Sequence, residues 1–155
     1  MVTKTESRVN GFGKNSFNLW ADMTWECKTD PLPITVPNYL IHYTGDASKA
    51  LYLAQLMYWC DRATRPDGFI WKKKADWEKE IGIKKKSIER YEKEFVEAGF
   101  LIIKVHKADG GFPTNHYKLD WNKLKGCIIK TLWDKDMIVT DKTVGNRKRK
   151  QLETQ

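Results

Sequence analysis

The chain has 155 residues, 41% of them hydrophobic and 31% charged, which suits one folded domain with extensions and excludes a wholly disordered chain. Twenty-eight basic residues against 20 acidic ones leave a net charge of +8, a sign that favours phosphate-bearing partners. There is no run of about 18 apolar residues, so no membrane span is expected. The polar start MVTKTESRVN does not read as a secretory signal. Cys27, Cys60 and Cys127 are odd in number and far apart, which argues against a disulfide framework and for a reducing, cytoplasmic setting. No familiar spacing joins them to His42, His106 or His116, so neither a metal nor a cofactor is expected.

Residues 1–36 read as an N-terminal arm, with a short strand or helix in SFNLWADMTWEC, and Pro31, Pro33 and Pro37 force an extended passage that leads into the next segment. PNYLIHY predicts a helical turn or two with proline first. Asp46 is the expected N-cap of ASKALYLAQLMYWCDRAT. That helix is apolar at Ala47, Leu51, Ala54 and Tyr58, with Ala50, Leu53 and Met57 beside them, as a central core helix would be. GFIWK reads as a small edge strand.

KADWEKEIG predicts a short helix ended by Gly82. In KKKSIERYEKEFVEAG, Ile88, Tyr91, Phe95 and Ala98 recur at helical spacing, and Gly99 closes the helix. Helix, tight turn, helix is the helix-turn-helix pattern. LIIKVHK and NHYKLDW then flank ADGGFPT as a hairpin. With 105 opposite 117, Leu101, Ile103, Val105, Tyr117, Leu119 and Trp121 share an apolar face. Lys104, His106, His116 and Lys118 share the other. The predicted fold is therefore α+β, mostly α: a winged helix-turn-helix over residues 37–121, with three core helices and a hairpin wing. Residues 122–155 form a C-terminal extension, helical around Leu124, Ile128 and Leu132, with a basic run at Arg147, Lys148, Arg149 and Lys150.

The chemistry lies in where the charge sits. Lys84, Lys85, Lys86, Ser87 and Arg90 crowd the start of the second helix of the pair, and Glu92, Glu94 and Glu97 lie towards its end. The helix dipole favours the reverse order, so the pattern suits a helix aimed N-terminus first at phosphates and base edges. Lys85, Lys86, Ser87 and Arg90 are the candidates for the major groove, with Lys93 on a phosphate. On the wing, Lys104, His106, Lys107, His116 and Lys118 are candidates for the minor groove or backbone. Lys72, Lys73 and Lys74 are candidates for a phosphate clamp. The bland alternatives are solvated faces in each case. Trp59, Trp71, Trp77 and Trp121 fit core or near-core positions better than base stacking. His106 and His116 face each other without a third ligand, which falls short of a metal site. No Gly-rich phosphate loop, GxSxG or HExxH is present, so no enzymatic activity is expected.

ITVPNYLI, the helix ending YWCDR, DGFIWKKKADWEKEIGIKKKSIERYEKEFVEAGFLI and GGFPTNHYKLDW together resemble the N-terminal winged-helix domains of phage and plasmid replication proteins. Pro37, Asn38 and Leu40 match the element before the first helix. Gly82, Ile83, Lys85, Lys86, Ser87, Ile88, Arg90, Phe95 and Gly99 match the recognition unit. The resemblance implies sequence-specific binding of double-stranded DNA in the host cytoplasm, beside the nucleoid, in replication initiation or its control. Similar domains serve phage repressors, so transcriptional regulation is the alternative. Residues 122–155 are too few for the second domain that such initiators carry. Surplus apolar residues in 12–25 and 121–139 suggest a homodimer. The same segments suggest a reading from another class, a winged helix that binds and inhibits a host replication or transcription protein.

Overall fold

The computed structural model describes residues 33–107 and 113–138. The element expected in SFNLWADMTWEC and the basic run at 147–150 lie outside the described residues.

Helix α1, Asn38–Thr44, follows Pro37, which is its N-cap rather than its first residue. Gly45 ends it at φ 68, a left-handed conformation that suits a residue without a side chain. Asp46 then starts α2, Ala47–Asp61, by accepting from the N–H groups of Ser48 and Lys49 at 2.8 and 3.1 Å. This is the central helix, as expected, but its buried arc differs from the expected stripes. Ala47 and Tyr58 are exposed, and Tyr52 and Leu56 are buried with Ala50 and Leu53. The helix packs against α1 and two other elements at once, so no single stripe describes it.

Strand β1, Ile70–Trp71, is short and lies at the sheet edge. Helices α3, Lys74–Ile81, and α4, Lys85–Ala98, are separated by Gly82 at φ 70, by Ile83, which is buried, and by Lys84. Strands β2, Leu101–Lys107, and β3, Pro113–Leu119, form the wing hairpin. The sheet has three antiparallel strands in the order β1-β3-β2. The architecture is α+β, mostly helical, and is that of a winged helix-turn-helix. Its core runs through Leu53, Leu56, Trp77, Ile88, Phe95, Phe100 and Tyr117. Helix α5, Trp121–Asp134, adds Leu124 and Ile128 to the same core and packs on α1.

The hairpin register differs from the expected one by two residues. Ile103, not Val105, opposes Tyr117, and Val105 opposes Asn115. A slip of two keeps every side chain on its expected face, because the pleat repeats every two residues. It nevertheless moves Val105 beyond the core, where it is 63% exposed. It also frees Trp121 from the strand. Asp120 accepts from the Lys123 N–H at 3.1 Å and makes Trp121 the first residue of α5.

Val105→Asp is therefore expected to shift stability by about 1 kcal/mol or less, as a surface strand substitution does. Leu101→Asp, at a position 2% exposed, is expected to unfold the domain. Thermal melts of the two variants check this; an unfolded Val105→Asp would restore the other register.

Candidate nucleic-acid interface

Ile88, Tyr91 and Phe95 anchor α4 in the core, as its periodicity predicts, whereas Ala98 is exposed. The fourth anchor is a surprise. Glu92, expected among the surface acids, is buried, and its Oε1 accepts from the Tyr52 hydroxyl at 3.0 Å and the Tyr117 hydroxyl at 3.1 Å. Asn115 donates in turn to the Tyr117 hydroxyl at 3.2 Å. Desolvation raises the Glu92 pKa, while the two phenol hydrogen bonds and the charge of Lys74 pull it the other way. The signal in the sequence is indirect: two tyrosines at apolar positions carry hydroxyls that need a buried partner.

With that face fixed, Lys84, Lys85, Lys86, Arg90 and Lys93 are exposed and Ser87 is half-buried. None of these residues forms an ion pair among the described residues. Lys84 is the N-cap and makes no side-chain capping bond, and the first turn holds no acid. The start of α4 thus presents amide N–H groups and lysine ammoniums together. Beside it, a groove of about 340 Å³ is lined by Lys72, Lys73, Lys74, Lys85, Glu78 and the hairpin residues Pro113 and Asn115, among others.

The lysine run at 72–74 does not act as one unit. Lys73 is exposed. Lys74 Nζ lies 2.7 Å from Glu89 Oε1 on α4, and that lysine holds the Glu89 carboxyl below its ordinary range. Lys72, expected as a phosphate contact, is enclosed instead. Its side chain is 14% exposed and ion-paired with Glu80. Its ammonium lies 4.7 Å from the Trp59 ring centroid and 4.1 Å from that of Trp77. Glu80 also accepts from Trp59 Nε1 at 2.8 Å and from the Gln55 amide. Lys72 therefore has its ammonium engaged within the fold by a carboxylate and two indole faces, although it also borders the groove beside α4.

On the wing, Lys104, His106 and Lys107 are exposed and Lys118 is half-buried. His116 departs from expectation, being buried at 7% exposure rather than exposed with His106. Its neighbours on both strands cover it, and its Nδ1 lies 3.1 Å from the Thr114 carbonyl oxygen. The two imidazoles meet edge to face, 4.9 Å apart, with no third metal-ligating side chain grouped with them among the described residues. Of the four tryptophans expected in or near the core, Trp77 is fully buried, but Trp71 is 58% exposed, Trp121 43% and Trp59 38%.

No helix among the described residues is long and apolar enough to cross a membrane. Cys60 and Cys127 are free thiols, and burial pushes the Cys60 pKa up to about 12. No protein-family model and no curated protein matches the chain. Among solved structures it is similar to a "Possible transcriptional regulator from Methanosarcina mazei Go1", at 16% identity and a TM-score of 0.42, over 76% of this chain and 85% of that one. A likeness that slight carries no argument about this chain.

Burial holds the folded-state pKa of Glu92 above its ordinary value of 4.5. The stability this group contributes is therefore complete below that value and is lost as pH rises through the folded pKa. Glu92→Gln keeps an acceptor oxygen and is never charged. It is expected to be at least as stable as the parent at neutral pH, with its advantage vanishing on acidification below about 4.5. Glu92→Ala leaves two phenol O–H donors without their acceptor and is expected to cost about 2–4 kcal/mol. Denaturant melts at several pH values check both.

The enclosure of Lys72 is tested by its neighbour. Lys72→Ala is expected to lower stability by roughly 1–3 kcal/mol, because packing and pairing both disappear. Lys73→Ala is expected to leave the melt unchanged and, if Lys73 meets phosphate, to reduce the salt slope of DNA binding by about one. Equal melts for the two variants would count against the distinction.

Proposed function

We propose that the chain is a double-stranded DNA-binding regulator that places the N-terminal half of α4 in the major groove. One observation carries the reading: Lys84, Lys85, Lys86 and Arg90 are exposed and, among the described residues, free of ion pairs on a helix with no acid in its first turn. Such a terminus gathers positive potential from both the side chains and the backbone dipoles. Lys85, Lys86, Ser87 and Arg90 face the base edges, where arginine can fork onto guanine. Lys93, Lys73 and the wing-tip Lys107 follow the phosphates on either side. The groove between α3, α4 and the hairpin lies where a backbone strand would pass.

The sequence resemblance to phage and plasmid replication proteins favours replication initiation or its control as the process served. The apolar side chains left exposed on and just after α5, Ile129, Trp133 and Met137, favour a second copy of the chain as the partner that supplies the other reading helix.

Lys85→Ala, Lys86→Ala and Arg90→Ala combined are expected to abolish site-specific duplex binding without changing the melt, at roughly 1–3 kcal/mol for each base-reading side chain removed. The residual binding should show a shallower salt dependence. Site selection from a random duplex pool followed by salt titration checks this. A triple variant with unchanged affinity and unchanged site preference would remove α4 as the reader.

A further inference from the structure

The outer face of the sheet carries a set of side chains that duplex reading by α4 does not use. Tyr117 points into the core, so its neighbours on β3, His116 and Lys118, point away from it. Trp71 of β1 and Lys104 of β2 both oppose His116, one on each side, and so lie on the same outer face. His106 sits diagonally across from His116, its ring 4.9 Å away and edge-on. The ammoniums of Lys104 and Lys118 lie 5.1 and 5.5 Å from the ring centroid of Phe69, which precedes β1. The face is therefore a row of rings bordered by two amines.

Two of the rings remain open to a ligand. Trp71 is 58% exposed and His106 is exposed, while His116 is buried between the strands that carry them. Neighbouring strands are spaced about 4.8 Å apart, so the β1 and β2 side chains stand roughly 10 Å apart across the sheet. The nearby acid, Asp67, accepts from the Phe69 N–H at 3.0 Å and from Arg65 at 2.8 Å, and its charge also reaches His116 and Lys118. Lys104, Lys118 and Arg65 outnumber that one carboxylate, so the surface offers flat aromatic faces and an excess of positive charge together.

We propose that this face is a second nucleic-acid site, one that takes the unpaired bases of a single strand. Trp71 and His106 supply the stacking surfaces, and Lys104 and Lys118 attract the phosphates. A duplex keeps its base faces stacked on one another and cannot offer them to a side chain. A single strand can, and a base gains by stacking on an aromatic ring irrespective of sequence. The charge argues for a polyanion over an apolar protein partner, because lysines flank the rings and, with Arg65, outnumber the one nearby carboxylate. The site uses none of the α4 residues assigned to duplex reading, so the two can fail separately.

The test uses the full chain, fluorescence anisotropy at low salt, and three probes: oligothymidylate and oligouridylate of about fifteen nucleotides, and a mixed-sequence duplex of the same length. The parent is expected to bind at least one of the single strands, and the tighter of the two identifies DNA or RNA as the source. Trp71→Ala is expected to weaken that binding about tenfold or more while changing duplex affinity less than twofold. Trp71→Phe should retain most of it, and His106→Ala should lose several-fold. The triple α4 variant should show the opposite pattern, with duplex binding abolished and single-strand binding kept. Thermal melts report whether each variant is folded, and His106→Ala decides the matter if Trp71→Ala is not. The proposal is overturned if neither single strand binds, if folded Trp71→Ala binds the single strand as the parent does, or if single-strand and duplex binding fall together. It is also overturned if Trp71→Ala changes the oligomeric state instead of single-strand affinity.

Discussion

The carboxylate of Glu92 sits 6% exposed between two phenols that arrive from different elements, Tyr52 of α2 and Tyr117 of β3. Three parts of the winged helix meet at one oxygen atom. An apolar stripe alone lets a helix roll by a fraction of a turn at little cost, since leucine- and phenylalanine-like contacts have no direction. Two hydrogen bonds to a named atom do have direction. They fix the rotation of α4 about its own axis, and with it the direction in which Lys85, Lys86 and Arg90 point. They also fix the height of β3 against α4, and so the position of the wing. Burying a carboxylate carries a desolvation penalty, and here the two hydroxyls and the nearby Lys74 offset part of it. Around that oxygen the rings close the space: Tyr52 meets Trp77 edge-on at 5.2 Å, and Trp77 meets Tyr117 edge-on at 5.9 Å.

The fold was legible because its strongest signals are local. The Asp46 cap, the Gly82 turn and the Ile88, Tyr91, Phe95 spacing each depend on a few neighbouring residues, and each appears where the chain pattern puts it. The hairpin shows where such a pattern stops. Alternation distinguishes inner from outer face but is blind to a slip of two, since both registers sort the side chains identically. What selects the observed register lies at the far end of the strand. Pairing Leu101 with Leu119 brings the Asp120 N–H to the Phe100 carbonyl oxygen at 2.8 Å and lets Asp120 cap α5. That is a tertiary contact, invisible to a reading of period alone.

The charged residues were less legible for a related reason. A glutamate or lysine on an amphipathic helix reads as solvated, and most are. Glu92 and Lys72 are exceptions whose partners lie 40 residues away at Tyr52 and eight residues on at Glu80. Pairs so placed leave no mark on periodicity. Unequal exposure of the tryptophans had the same origin: Trp71 and Trp77 have equal hydrophobicity, but one falls on the outer face of an edge strand and the other on the inner face of α3.

The placement of lysines at the start of α4 follows from how the helix is held. Ammoniums beside the positive end of a helix dipole disfavour the helix by a few tenths of a kcal/mol to about 1 kcal/mol each at exposed sites. With no side-chain cap at Lys84, the first turn has little local support. A helix stabilised mainly by its own propensity would fray there. This one is held from its middle outward, by Ile88, Tyr91, Glu92 and Phe95 in the core, and laterally by the pairs Lys74–Glu89 and Lys49–Glu94. Both lateral acids sit past the first turn, and although the charge of Glu89 reaches Lys85 and Lys86, neither acid forms an ion pair with them. Core anchoring therefore permits a terminus whose charge is poorly matched to its own dipole and well matched to an approaching phosphate. Under the proposed duplex reading, a phosphate at this end would remove the unfavourable term, so the same mismatch that weakens the free helix end would strengthen a bound one.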